Sequence, residues 1–150
     1  MAGLELIVPY IPEMLCVETI AALVGQEPMY CEVDGERSYH DLLAKHWREG
    51  MIIVEQDIVA EPAVVDDLRA CPHSWCVVPY RGPGNVWLDQ SLGCTKLGGF
   101  PFEFRLERDG DLFPIYDWRR LDVRVANLLT AYRVQRHVHG LSVRHLHTYT

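Results

Sequence analysis

The sequence predicts an α/β fold with a mainly parallel central sheet, and three observations support this prediction. Apolar runs and amphipathic stretches alternate along the first half of the chain, in the order strand, helix, strand, helix, strand, helix, strand. Met51–Val54 is apolar throughout, as strands covered on both faces are. Strands joined by helices in one sheet have right-handed crossovers and run parallel. The chain has 150 residues, 49% of them apolar, which predicts a single domain spanning residues 1–150.

The strands are predicted from short apolar runs that end at turn-forming residues. The first run ends at Pro9, and the second ends at the turn pair Asp34-Gly35. These runs place strands at residues 4–8, 29–33, 51–54 and 75–78. Residues 91–97 are predicted as a strand that crosses the end of the sheet, and residues 132–138 and 141–147 as two closing strands.

The helices are predicted from apolar residues spaced three and four positions apart. Ser38 is the expected N-cap of the second helix, and Pro62 suits the first turn of the third. The predicted helices span residues 13–24, 38–47, 62–70 and 117–132. The buried face of the first is expected to carry Met14, Val17, Ile20, Ala21 and Val24.

Composition narrows the class of protein. Residues 1–10 lack the basic start of a signal peptide, and no apolar run approaches the roughly 18 residues of a membrane span. The five cysteines are odd in number and scattered, which indicates reduced thiols. We therefore expect a cytoplasmic protein without a membrane span. The net charge of −7 argues against non-specific binding of nucleic acid.

The segment Glu55-Gln56-Asp57 directly follows the most apolar predicted strand. Open parallel sheets bind ligands at the carboxyl ends of their strands. Alternation along an extended chain places Glu55 and Asp57 on one side, where two carboxylates suit Mg²⁺ or Mn²⁺. The alternative is that both acids begin a solvent-exposed loop and help to cap the next helix.

The order of these segments resembles that of inverting glycosyltransferases of the GT-A fold, the nucleotide-diphospho-sugar transferases. Residues 25–35 are similar to that family's Gln-x-Pro turn and the strand after it, which ends here at Asp34-Gly35. Residues 47–62 are similar to its helix ending in Gly, apolar strand, Asp-x-Asp motif and following Pro, with Glu55 in place of the first Asp. The similarity continues through a Gly-rich segment at residues 92–97, an acidic helix start at 117–122 and a late His within 132–147.

The resemblance implies a GT-A-like, Rossmann-like three-layer sandwich. It also implies metal-dependent transfer of a sugar from a nucleoside-diphosphate donor to an unidentified hydroxyl acceptor, with inversion. The cofactor would be Mn²⁺ or Mg²⁺. The short chain leaves little surface around the cleft, so a homodimer that completes the site is a further expectation.

The resemblance also assigns roles to individual residues. The implied metal ligands are Glu55, Asp57, His145 and His147, of which His145 is the better match among the histidines. The residues implied for the donor nucleotide are Pro9, Tyr10, Asp34 and Gln56. Asp117 is the first choice as the base that deprotonates the acceptor, and Asp122 is the second. The simpler role for Asp117 is that of a helix N-cap.

Two other classes of function stay open on the sequence. One is a non-catalytic domain that binds a nucleotide or nucleotide sugar. The other is a transition-metal protein that uses four late histidines, His137, His139, His145 and His147. The simpler interpretation is that these histidines lie on the surface or at an interface. Cys71 and Cys76 also suggest structural zinc, but no second cysteine pair lies at a matching spacing.

Overall fold

A six-stranded sheet forms the centre of the structure, a computed structural model that describes residues 4–99 and 118–146. In those ranges the elements are β1 (Glu5–Tyr10), α1 (Val17–Ala22), β2 (Met29–Glu32), α2 (Glu36–His46), β3 (Met51–Val54), β4 (Ile58–Val59), α3 (Pro62–Ala70), β5 (Trp75–Val77), β6 (Tyr80–Arg81), β7 (Trp87–Leu88), β8 (Cys94–Leu97), α4 (Trp118–Ala131), β9 (His137–Val138) and β10 (Arg144–His145). Short 3-10 turns lie at Pro12–Met14, Trp47–Glu49 and Pro83–Asn85.

The strand order of the main sheet is β2-β1-β3-β8-β5-β9. Strand β1 pairs in parallel with β2 and β3, and β5 pairs in parallel with β9. Strand β8 runs antiparallel to both of its neighbours, β3 and β5. The predicted α/β class with a mostly parallel sheet is therefore confirmed. The strand expected across the sheet end lies instead inside the sheet, because its buried residues fill the space between two core strands.

Helices cover both faces of this sheet. On one face Ile53 belongs to a core that also contains Leu43 of α2 and Val125 of α4. On the other face the alternate residue Ile52 packs in a core with Leu68 of α3. Full burial of a side chain of this size contributes roughly 1.5–3 kcal/mol. Strand alternation thus divides the apolar residues into two cores.

The first predicted helix differs most from the structure. It is broken into the 3-10 turn and the six-residue α1, and its predicted apolar face is turned outward, with Val17 73% and Val24 74% exposed. Thr19 and Leu23 are buried instead. The N–H of Cys16 donates to the Gln56 carbonyl oxygen at 2.9 Å, which fixes where α1 begins and which face it buries.

Two residues that were predicted to end a strand or begin a helix also differ from their predicted roles. Pro9 lies within β1, at a level where β1 pairs only with β2, so its missing N–H costs the sheet little. Ser38 lies inside the first turn of α2, and its Oγ accepts hydrogen bonds from the N–H groups of Asp34 and Gly35. Among the described helices, none has both the length and the apolar character that crossing a membrane requires.

Candidate functional site

The three residues after β3 are buried: Glu55 is 8%, Gln56 4% and Asp57 5% exposed. Burial of two acids and an amide at a strand end is costly unless each has partners. The alternative that they begin an exposed loop is therefore wrong. We refer to Glu55, Asp57 and the His145 that contacts Asp57 as the acidic site.

Glu55 is held by a backbone and a side-chain hydrogen bond. Its N–H donates to the Gly93 carbonyl at 2.8 Å, and its Oε2 accepts from the Tyr39 hydroxyl at 2.7 Å. Burial raises the pKa of Glu55 well above its usual range, and the charges of Asp122 and Asp57 add to this, whereas the Tyr39 hydrogen bond opposes it. The site therefore favours the neutral form of Glu55.

Asp57 makes the longest-range contact of the acidic site. Its Oδ2 lies 2.9 Å from Nε2 of His145, which is 88 residues further along the chain. Two backbone features hold this contact: β10 pairs antiparallel with β4, and the N–H of Leu146 donates to the Asp57 carbonyl at 2.9 Å. The hydrogen bond to Asp57 raises the pKa of His145, against the opposing effect of burial. The two residues expected to share a metal are thus neighbours, while their role as ligands stays a prediction.

Gln56 connects the acidic site to the loop after β1. Its Oε1 accepts from the N–H of Ile11 at 2.7 Å, and its Nε2 lies 3.8 Å from the Met14 sulfur. Both polar ends of the side chain therefore contact this loop. A contact of Gln56 with the donor nucleotide stays a prediction.

A cleft of about 520 Å³ opens beside that loop, where β1 and β2 end. Its walls are formed by Ile11, Pro12, Glu13, Glu32, Val33, Asp34 and Ser38. Asp34, predicted to contact the nucleotide, lies in this wall with an exposed side chain. The predicted Pro9 and Tyr10 lie in β1, just before the cleft-lining Ile11, and Tyr10 packs edge-on against Tyr30 at 6.4 Å between ring centroids.

Asp122 is the candidate base that the structure describes. It lies in α4 and its Oδ1 accepts from the N–H of Leu92 at 3.2 Å. Its negative charge contributes to raising the pKa values of Glu55, Tyr39 and Tyr80, so Asp122 lies near the acidic site. The first-choice base, Asp117, and the second late-His ligand, His147, lie outside the described residues.

Two tyrosines belong to the site although no sequence motif indicated them. Tyr39 contacts Glu55 as described, and the ring of Tyr80 lies 5.3 Å from that of His145. Tyr80 passes so close to the backbone that a Cβ on Gly93 would lie 2.6 Å from Cζ of its ring. Both tyrosines lie in elements that look like ordinary amphipathic or apolar segments, so no local signal distinguishes them.

The late histidines do not share one site. His145 is in the acidic site, whereas Nδ1 of His139 contacts the Asp67 carboxylate, and the ring of His137 stacks on His73 at 4.4 Å between centroids. Among residues 4–99 and 118–146, the one group of metal-ligating side chains found within 4.8 Å of one another is Cys71, Cys76 and His139. The three late histidines that the structure describes therefore do not form the predicted four-histidine metal site.

Comparison with known proteins adds no relative. No family model matches the chain, and no curated protein or solved structure is significantly similar to it. A fold alone does not define a function, since the same architecture supports many unrelated ones. The cleft, the acidic site and the position of Asp122 are thus the observations from which a function is argued.

Proposed function

We propose that the protein transfers a sugar from a nucleoside-diphosphate donor to a hydroxyl acceptor, with inversion, using Mn²⁺ or Mg²⁺. The observation that carries the proposal is the contact of Asp57 with His145 next to a cleft at the ends of β1 and β2. Ligands of open α/β sheets bind at this edge. The sequence resemblance, which implies a diphosphate and its metal at this place, supports the proposal.

The residues present fit a divalent ion. The Asp57 oxygen and the His145 nitrogen lie 2.9 Å apart, and both side chains are more than nine-tenths buried. Oxygen and imidazole ligands suit Mn²⁺, and such an ion takes its remaining ligands from water and phosphate. When bound, the ion would act as a Lewis acid on the leaving nucleoside diphosphate. Asp57 and His145 are the ligands we propose, because Oε2 of Glu55 is already engaged by the Tyr39 hydroxyl.

The cleft suits the nucleoside part of the donor. Its volume of about 520 Å³ is within the roughly 300–1,000 Å³ typical of small-molecule sites. Ile11, Pro12 and Val33 offer apolar walls for a base, and the exposed Asp34 carboxylate can accept hydrogen bonds from a base or ribose. The Gln56–Ile11 hydrogen bond fixes this wall relative to the acidic site.

Inversion requires a base on the acceptor side. A carboxylate within hydrogen-bond reach of the acceptor hydroxyl can take its proton as the bond to the sugar forms. Asp122 is held by the Leu92 N–H, lies near the acidic site and can serve in this way. Asp117, which lies outside the described residues, stays the other candidate.

The proposal is tested by calorimetric titration with a panel of nucleoside diphosphates and nucleotide sugars, with and without Mn²⁺. We expect metal-dependent binding that is lost in Asp57→Ala and kept in Asp66→Asn, which changes an exposed acid of α3. Asp34→Ala should weaken the binding measured with Mn²⁺. Absence of binding to every nucleotide in the panel contradicts the proposal.

A second assay distinguishes catalysis from binding. It measures the slow hydrolysis, by water, of the nucleotide sugar that binds best, followed as release of nucleoside diphosphate. Asp122→Asn and Asp117→Asn are made individually, and the variant that removes the base should bind the donor normally but release no product. Donor binding without any turnover in the unaltered protein would instead favour the non-catalytic nucleotide-sugar-binding domain.

A further inference from the structure

We propose that Cys71, Cys76 and His139 form a second metal site that binds Zn²⁺, with Asp67 as the residue that positions His139. We refer to these three ligands as the Cys–His cluster. Their ligand atoms lie within 4.8 Å of one another, and all three residues are buried. The cluster shares no residue with the acidic site.

The fold brings these ligands together from separate elements. Cys71 directly follows α3, Cys76 lies in β5, and His139 directly follows β9. Strand β9 pairs in parallel with β5, and the N–H of His139 donates to the Val77 carbonyl at 2.9 Å. The backbone of each ligand is therefore fixed by a helix end or a strand pairing, as a preformed metal site requires.

One ring nitrogen of His139 contacts a carboxylate, and the other is left available to bind a metal. Its Nδ1 contacts the Asp67 carboxylate of α3, across 72 residues of sequence. Its Nε2 is buried and has no hydrogen-bond partner within the described parts of the chain, in a residue that is 8% exposed. A buried polar atom without a partner costs about 1–3 kcal/mol. Metal-bound histidines commonly donate their other ring N–H to a carboxylate, which is the arrangement seen here.

A metal accounts for the cluster better than a disulfide does. The two sulfur atoms are in contact, as in a Cys71–Cys76 disulfide, but the Cα atoms of the two residues are 7.2 Å apart. Disulfides usually join Cα atoms about 4.4–6.8 Å apart. A disulfide would also leave Nε2 of His139 without a partner, whereas a tetrahedral ion uses both thiolates and this nitrogen. Thiolate and imidazole ligands select Zn²⁺ over Mg²⁺ or Mn²⁺.

Three protein ligands leave one position of a tetrahedral site. A water molecule can fill it, and His137 is a second candidate, since its ring centroid is 4.7 Å from that of His139. His137 also stacks on His73, and its ring meets that of His139 edge-on. Substitution of His137 therefore distinguishes two kinds of site. It should lower zinc affinity if His137 is the fourth ligand, and leave it unchanged if water fills an open position.

The Cys–His cluster also lies upstream of the acidic site along the chain. His139 is followed, after a short loop, by β10, which carries His145 to Asp57. Because β9 has only two residues, a metal on His139 would strengthen a weak attachment of this segment to the sheet. Loss of zinc should therefore weaken Mn²⁺-dependent donor binding as well. This last consequence rests on the proposed function, while zinc binding itself does not.

The test begins with protein purified under reducing conditions without added metal, whose zinc content is measured by mass spectrometry. We expect one equivalent of zinc. Co²⁺ added to the metal-free protein should give thiolate charge-transfer absorption and the intense visible bands of a tetrahedral ion. Both signals should be lost in Cys76→Ser and in His139→Ala. They should be kept in Cys31→Ser and His46→Gln, which change a cysteine and a histidine outside the cluster, and in Asp57→Asn.

Asp67→Asn provides a second variant that keeps the fold. The Asp67 side chain is 47% exposed, so its substitution does not disturb the core. Loss of such a positioning carboxylate should lower zinc affinity about 10–100-fold, as measured by competition with a chelating dye. Zinc-free reduced protein with an unchanged Co²⁺ spectrum in Cys76→Ser overturns the proposal. So does a Cys71–Cys76 disulfide that survives reduction and purification. Donor binding that depends on Asp57 is measured separately, so failure of the zinc site is distinguished from failure of the proposed function.

Discussion

The acidic site and the Cys–His cluster use the same sheet in different ways. In the acidic site, Glu55 and Asp57 are near neighbours in sequence, and one long-range residue, His145, completes the group. In the Cys–His cluster the ligands come from a helix end, a strand and the far edge strand. The first site can therefore be located from one stretch of sequence, and the second cannot.

The chemistry of the two sites differs as much as their assembly. The acidic site offers oxygen and one imidazole, which suit Mn²⁺ or Mg²⁺ bound together with phosphate. The Cys–His cluster offers two thiolates and one imidazole, which suit zinc bound by the protein. On the two proposals made above, the metals would occupy separate sites, one exchanging with the substrate and one permanent. Substitutions confined to one site or the other test this separation.

The largest effect is expected within the acidic site, where two carboxylates two residues apart have different roles. Asp57→Asn should lower Mn²⁺-dependent nucleotide affinity by more than the roughly 100-fold that loss of an outer-shell partner can cost. Glu55→Gln should change it by less than about threefold, because the neutral acid and the amide have a similar shape and both accept from Tyr39. Titration calorimetry measures both. Equal losses in the two variants would make Glu55 a metal ligand too.

The next effect concerns the close packing that holds the acidic site. Gly93→Ala would place a Cβ 2.6 Å from Cζ of Tyr80, a buried side chain that cannot easily move away. Overpacking of this kind costs about 1–3 kcal/mol. Urea unfolding should show this loss, together with weaker nucleotide binding.

The matched control for that prediction is Gly140→Ala, next to the Cys–His cluster. An added Cβ at Gly140 meets no atom within 4 Å in the described structure. Its effect on the free energy of unfolding should stay within about 0.5 kcal/mol. A similar loss in both variants would mean that Tyr80 is not tightly held against Gly93.

The sequence predicted the framework of the acidic site because that framework is local. A wholly apolar run defined β3 to the residue, and the polar triplet after it necessarily fell at a strand end. The pairing of His145 with Asp57 came from resemblance alone, since nothing in the residues between them indicates the contact. Tyr39 and Tyr80 were missed because tertiary packing, and not local pattern, brings each to the site.

The same limit explains the errors elsewhere. The apolar spacing of residues 13–24 predicted a helix, but the bond from Cys16 to Gln56 selected Leu23 for burial and left Val17 outside. For Cys71 and Cys76 the sequence search looked for another cysteine pair. The structure instead supplies His139, from more than 60 residues further along the chain. Spacing rules detect ligands that are close in sequence and miss those that a strand pairing brings together.

A smaller effect is expected in the pH dependence of stability without Mn²⁺ or Mg²⁺. The hydrogen bond to Asp57 raises the pKa of His145 above 6.5. The contribution of the His145–Asp57 contact to the free energy of unfolding is therefore complete below about pH 6.5, and it is lost as the pH rises through the raised pKa of His145. The unaltered protein should exceed His145→Gln in stability most clearly near pH 6, and the difference should shrink toward pH 8. A difference that grows with pH would contradict the ion pair.

The last and smallest effect is expected in thiol reactivity. It distinguishes a cysteine that is protected from alkylation by a bound metal from one that is protected by burial. Burial raises the pKa of Cys94 to about 12, so at pH 8 it should resist iodoacetamide with or without a chelator. Cys71 should resist only while zinc is bound, and a chelator with reductant should expose it to modification. Peptide mass spectrometry follows each cysteine, with the partly exposed Cys31 as the internal reference. Equal modification of Cys71 with and without the chelator would contradict protection by zinc.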